Sequence, residues 1–346
     1  MNKIGFLYIT LIILFINSSY ASCTKLNLIF NKDTISFSRG FLGSKFYEIE
    51  NVQKIINNQY TTFDTDLSYP HMFFASLSSE KEILFRNDFF FIDDKTNTIR
   101  IDTLKQIQIK NSKAQDEFET FFKPYMIKDQ NISFVELMYN HKETFDSKLF
   151  EYIKSNKNSF VALWFVTLRF HEEGHKHMYE SMLSKFSNKI KLSKLWQLVN
   201  TDLSKIQIKE NYTFPQFELL NTNLNNEKIN LPLSKYTYID FWWSRCKPCL
   251  EKIPFMIELY NKYNTKGFNI IAISTDKTAN IEKYWLKRIE EFKIPWKQYL
   301  DQNGEISNKN YIFSFPTNYL LDSNGVIIAK NISINDLEVL LLELCK

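Results

Sequence analysis

The chain has 346 residues, 44% hydrophobic and 24% charged, an ordinary globular composition long enough for two or three domains with sizeable cores. Its formal net charge of +4 is too small to point to nucleic acid, and no basic stripe interleaved with aromatics provides a surface for it. Four cysteines in so long a chain also exclude a disulfide-framework protein, which would be small and dense in cysteine.

The chain begins with Lys3, a mostly apolar run from Ile4 to Ile16, and then small residues. That run is too short to span a bilayer comfortably and reads as a signal peptide over residues 1–22, with no second stretch of spanning length behind it. The mature protein is therefore expected to be exported, to a periplasm or cell envelope where disulfides persist. Two cleavage readings stand side by side. Ser19-Tyr20-Ala21 permits ordinary cleavage before Ser22, whereas "YASC" resembles a relaxed bacterial lipobox with Cys23 as the lipidated residue, Tyr20 standing where that motif usually has leucine.

Residues 23–110 carry the pattern of short strands. "NDFFFIDDKTNTIRID", Asn87 to Asp102, reads as a hairpin whose return arm alternates Ile99 and Ile101. Residues 111–208 turn helical, with Ser159 as an N-cap ahead of "FVALWFVTLRF" and with Met178, Met182 and Phe186 at four-residue spacing. Between these two apolar helical patterns lies "HEEGH", His171 to His175, which satisfies the His-Glu-x-x-His pattern of zinc peptidases, with Glu172 as general base. Gly174 falls inside it, so the five residues read as a solvated helix–helix connection, and no third ligand follows at the expected distance. His177 nearby offers adventitious metal binding.

From residue 209 to 346 a strand–helix series is expected: strand Tyr236 to Phe241, helix Cys246 to Tyr263, strand Phe268 to Ser274, helix Asn280 to Phe292, strands Thr317 to Leu321 and Val326 to Ala329 joined by "DSNG", and helix Asn335 to Leu344. That order implies an α/β unit, a mixed sheet with helices on both faces. Within it, "DFWWSRCKPC" places Cys246 and Cys249 where a strand gives way to a helix. A cysteine there sits among unsatisfied backbone N–H groups at the positive end of the helix dipole, which favours the reactive thiolate. Cys249 is nearly one turn on, within reach of a small disulfide ring, and Arg245 and Lys247 add positive charge. A zinc site would need two further ligands of the right kind, and a structural disulfide of this spacing would constrain the unfolded chain little. Redox chemistry is the favoured reading, with metal and structural roles behind it. Cys345 reads as a spare or packed thiol.

The same stretch resembles the active-site strand and helix of thioredoxin, "DFWAxWCxPC". The unit from about Phe214 onward is similar to exported bacterial thiol–disulfide oxidoreductases of the TlpA/ResA kind, through "FPQFEL", Pro254, "NIIAISTD" and "FPTNYLLDSNGVII". The resemblance implies a thioredoxin-like fold and a dithiol, Cys246 and Cys249, that is itself the redox group, with no cofactor and no metal. It also implies a cis-proline at Pro316 beside the dithiol, where the Phe315 backbone would pair with an extended substrate chain. Expected partners are client proteins with thiols or disulfides, envelope proteins or apocytochromes, and a membrane thiol-electron carrier. Two departures matter. Arg245 replaces the family tryptophan before the first cysteine, and Lys252 replaces a glutamate three residues after the second, so the proton-relay role is assigned to Asp240. A zinc metallopeptidase built on "HEEGH" and a non-catalytic envelope lipoprotein acting as a binding module are the alternatives.

Overall fold

Strand propensity and helix caps divide this chain as they do most α/β proteins: β-branched and aromatic runs form the strands, and serines open the helices. A computed structural model describes residues 26–345 apart from 31–32, 39–41, 50–60, 64, 79–82, 95 and 102–106. The expected signal peptide and the lipidation at Cys23 lie outside the described residues. Among the described residues no helix is long and apolar enough to cross a membrane. The chain groups into two units, Met1–Leu168 with Met182–Asn200, and Arg169–Ser181 with Thr201–Lys346.

In the first unit, strands β1 (Leu26–Phe30), β2 (Asp33–Ser38), β4 (His71–Ser78) and β5 (Ile83–Ile92) form an antiparallel sheet in the order β1-β2-β4-β5. β3 (Thr61–Phe63), β6 (Asn97–Ile101) and β7 (Ile107–Lys110) form a second, in the order β3-β6-β7. The hairpin expected over Asn87 to Asp102 is therefore not formed, because its two arms belong to different sheets. Buried Asp93 supplies the reason. Its carboxylate accepts the backbone N–H groups of Lys113 and Ala114, and its carbonyl accepts from the Asn97 side chain, so the chain is pinned to the start of the helical region instead of folding back. Ser112, Ser133 and Ser159 cap the helices that begin at Lys113, Phe134 and Phe160, each accepting the backbone N–H three residues on. Phenylalanine fills this core. Phe165 stacks on Phe122 at 4.8 Å and meets Phe89 edge-on at 5.1 Å.

The second unit holds a seven-stranded mixed sheet: β8 (Glu218–Asn221), β9 (Asn226–Lys228), β10 (Tyr236–Trp242), β11 (Phe268–Ser274), β12 (Lys297–Leu300), β13 (Thr317–Leu321) and β14 (Ile327–Lys330), in the order β14-β13-β10-β11-β12-β8-β9. β10, β11 and β12 run parallel, and their neighbours are antiparallel. Alternation along β10 sorts two cores. Tyr238 and Trp242 face a cluster with the helices Lys247–Tyr263 and Ile334–Leu344, whereas Ile239 and Phe241 face one built with Phe214, Phe217 and Ile312 and flanked by Ile306 of the short helix Glu305–Lys309. The expected strands and long helices are present. β9, β12 and the helix Glu305–Lys309, short and mostly polar, were not expected, and the helix expected over Asn280 to Phe292 is instead a 3-10 turn, a π turn Ile281–Leu286 and an α-helix Lys287–Glu291.

Candidate active site

β10 ends at Trp242, and the chain crosses to the helix Lys247–Tyr263 through Trp243, Ser244, Arg245 and Cys246. Buried Asp276 fixes that crossing: its carboxylate accepts the Ser244 backbone N–H at 2.8 Å, the Ser244 hydroxyl at 2.7 Å and the Ser274 hydroxyl at 2.7 Å. The loop that delivers the first cysteine is thus tied to the end of the neighbouring parallel strand.

Cys246 is the N-cap of the helix, one position earlier than expected, and is joined to Cys249 by a disulfide with an S–S distance of 2.04 Å. Its Sγ accepts the Cys249 backbone N–H at 3.2 Å. A sulfur in that position satisfies one of the otherwise unpaired N–H groups of the first turn, and the same contact stabilises a thiolate once the disulfide opens. Pro248 occupies the first turn, where its missing N–H costs little. Both cysteines are buried in the oxidised state. Cys345, buried at the end of the last helix, is a free thiol, and burial pushes its pKa up.

Asp240 lies on the same face of β10 as Tyr238 and Trp242, beneath the active-site helix. Lys252 reaches down to it, with Nζ 2.5 Å from Oδ1, and both residues are buried. Burial pushes the Asp240 carboxyl above the ordinary carboxylate range, and the Lys252 ammonium opposes that rise without cancelling it. The pairing was not foreseen, yet the signal was present. Cys249, Lys252, Ile253 and Met256 are spaced as one buried helical face, and that face turns toward β10.

Arg245, the departure ahead of the first cysteine, is exposed but held. Its guanidinium lies 5.3 Å from the ring centroids of both Trp243 and Tyr284. Pro316 follows a cis Phe315–Pro316 bond, as expected; a second cis bond, Leu231–Pro232, was not anticipated. Thr317, directly after Pro316, pairs with Phe241 near the end of β10, and Phe315 packs against the cluster that contains both active-site cysteines. The cis-proline and the dithiol therefore stand at one end of the sheet.

The zinc-peptidase geometry is not built. His171 and Glu172 belong to the helix Phe160–Glu173, which stops there because Gly174 adopts a left-handed φ of 68°. His175 is thereby taken off that helical face. His171 stacks on Phe313 at 4.7 Å, and Glu172 pairs with Arg169 at 2.8 Å. The expectation of a solvated loop is corrected on the same grounds, since the connection is only Gly174–Lys176 and both His171 and His175 are buried.

Fold and site together define a redox module of thioredoxin type. Residues 234–327 match a family model described as thioredoxin-like. Thiol-disulfide oxidoreductase ResA of a Bacillus cereus strain is 32% identical over 138 residues, which are 39% of this chain and 76% of that protein. ResA of Bacillus thuringiensis subsp. konkukian is 35% identical over 109 residues; there the chain spans 61% of the relative's length. Among solved structures, the thioredoxin domain of a thiol-disulfide oxidoreductase from Bacteroides vulgatus is 29% identical, covers 40% of this chain and 99% of that one, and superposes with a TM-score of 0.36. The chain belongs to the thioredoxin-like family of thiol–disulfide oxidoreductases.

Proposed function

We propose that the chain is an exported thiol–disulfide oxidoreductase that exchanges two electrons with protein thiols and disulfides through Cys246 and Cys249. The observation that carries this reading is the disulfide at the helix N-terminus, with the Cys246 sulfur accepting the Cys249 N–H. The names of the ResA relatives support it.

In the reductive direction the Cys246 thiolate attacks one sulfur of a client disulfide. A Cys246–client bond forms, the client S–S bond breaks, and the departing client thiolate takes up a proton. The Cys249 thiol then gives its proton to Asp240 and attacks the Cys246 sulfur. The intramolecular disulfide re-forms, the second client thiolate leaves, and two electrons have moved from the dithiol to the client. The dithiol is itself the redox group, so the reaction draws on no bound cofactor. Cis-Pro316 serves by presenting the Phe315 backbone to an extended client segment. A membrane thiol carrier would restore the dithiol, and lipidation at Cys23 or ordinary signal cleavage would place the protein in the cell envelope. Direction follows the reduction potential, since about 30 mV corresponds to about 1.4 kcal/mol for this couple.

The test is trapping. Cys249→Ser should accumulate mixed disulfides with clients, whereas Cys246→Ser should not. Equal trapping by both variants overturns the assignment of attacker and resolver. No trapping by either, with no protein-disulfide reduction by the wild type, removes the redox reading itself.

A further inference from the structure

Where the first of the two helices around "HEEGH" ends, the side chains that follow converge on a different centre. His175 Nε2 lies 3.1 Å from Glu180 Oε1, and His177 Nδ1 lies 3.3 Å from Glu180 Oε2. One ligand atom from each of the three residues falls within 4.8 Å of the other two. The two imidazoles meet nearly at right angles, 83°, with centroids 5.1 Å apart, so their lone pairs approach from different directions. A tetrahedral ion with bonds of about 2.0–2.1 Å to nitrogen and oxygen has ligand–ligand edges of about 3.4 Å, and each imidazole nitrogen already stands at about that distance from one of the two Glu180 oxygens.

His177 Nε2 lies 3.1 Å from the Glu210 carbonyl oxygen, which can only accept, so a ring with its proton on Nε2 donates there and turns its Nδ1 lone pair toward Glu180. The Glu210 contact is also the outer hydrogen bond that orients a metal-bound histidine. His175 is buried, with its Nε2 directed at Glu180. His177 and Glu180 have side chains 43% exposed, which leaves an entry path.

We propose that His175, His177 and Glu180 form a binding site for one divalent transition-metal ion, zinc by preference, with the remaining coordination position open to water. Two imidazoles and a carboxylate suit zinc better than calcium or magnesium, which take oxygen ligands. Binding replaces the proton on His175 Nε2 and forms metal bonds to that nitrogen, to His177 Nδ1 and to a Glu180 oxygen. The displaced proton moves to His175 Nδ1, which is buried without a partner among the described residues. That cost places the site below a closed four-ligand structural zinc site in affinity. The site is separate from the dithiol and does not depend on its redox role.

The experiment is titration of the tag-free, oxidised full chain with Zn²⁺ by calorimetry and with Co²⁺ by visible absorption. Oxidation keeps Cys246 and Cys249 from serving as ligands. The expected result is one ion per chain, with four-coordinate cobalt bands and no thiolate charge-transfer band. Affinity should fall at least about tenfold in Glu180→Gln and in His177→Ala, with circular dichroism of the metal-free variants unchanged. Absence of stoichiometric binding by the wild type overturns the proposal, as does wild-type affinity in the Glu180→Gln, His177→Ala double variant. A strong thiolate band assigns the ion to a cysteine and overturns it too.

Discussion

Asp240 and Lys252 form a buried ion pair, 2.5 Å from Oδ1 to Nζ, between the central strand and the helix that carries the disulfide. Neither charge has much access to water, so each depends on the other. Removing one partner of such a pair costs about 3–5 kcal/mol, whereas replacing both by apolar groups of similar volume is often neutral or stabilising by about 1–4 kcal/mol. Asp240→Leu and Lys252→Met should each lower the denaturant midpoint of the oxidised protein, and the double variant should regain most of the loss. Additive losses would show that the two charges do not act as a unit.

The pair also sets a pH dependence for the proposed reaction. Burial raises the Asp240 pKa, and Lys252 restrains the rise. Asp240 accepts a proton only when ionised, so resolution of the mixed disulfide should quicken as pH climbs through its raised pKa. Asp240→Asn should remove that limb and slow resolution by about 100-fold, with client attack affected less. Lys252→Met withdraws the opposing charge and should move the limb to higher pH. Rapid-quench measurement of mixed-disulfide decay against pH decides it, and an unmoved limb in Lys252→Met would count against Asp240 as the base.

The spaced motifs from Phe214 onward made the thioredoxin-like unit, the cysteine pair and the cis bond at Pro316 legible in the sequence, because each is local: a turn, an N-cap, an X-Pro bond. What pairs over distance was not. Lys252 read only as the replacement of a glutamate, because its partner lies twelve residues back across a strand–helix crossing. The Asn87 to Asp102 hairpin failed for a related reason, since alternation describes a strand's faces and not its neighbour, and here Asp93 diverts the chain. β12, four residues long, carries too short a pattern to stand out.

Arg245 should act on the thiolate more than Lys247 does. The Arg245 guanidinium lies 5.3 Å from the ring centroids of both Trp243 and Tyr284, which hold it in place, whereas Lys247 has a side chain 86% exposed and lies 3.7 Å from Glu251. An exposed pair of opposite charges contributes about 0.2–1 kcal/mol, so Arg245→Ala should slow alkylation of reduced Cys246 at neutral pH by up to about fivefold. Lys247→Ala should change it less, and both effects should shrink with added salt. A larger effect from Lys247→Ala would overturn the ranking.

His71 should make the first unit acid-sensitive. It is fully buried, its Nε2 accepts the Glu48 backbone N–H at 2.7 Å, and its Nδ1 lies 2.9 Å from the Tyr69 carbonyl. A neutral ring with its proton on Nδ1 satisfies both contacts, whereas a second proton on Nε2 would face the Glu48 donor. Burial accordingly lowers its pKa from 6.5 to about 4, against opposing contributions from the Tyr69 carbonyl and Glu48. The depressed value fixes the sign. Above pH 6.5 the contribution is fully present; as pH falls toward about 4, the unfolded chain takes up the proton and the folded chain does not, so stability is lost through that window. The full loss is on the order of 3 kcal/mol. His71→Gln can accept from Glu48 and donate to Tyr69 without titrating. It should therefore be less stable than the wild type at neutral pH but flatter between pH 6.5 and 4, as measured by urea unfolding across that range. Parallel slopes for the two proteins would remove His71 as the origin of the acid sensitivity.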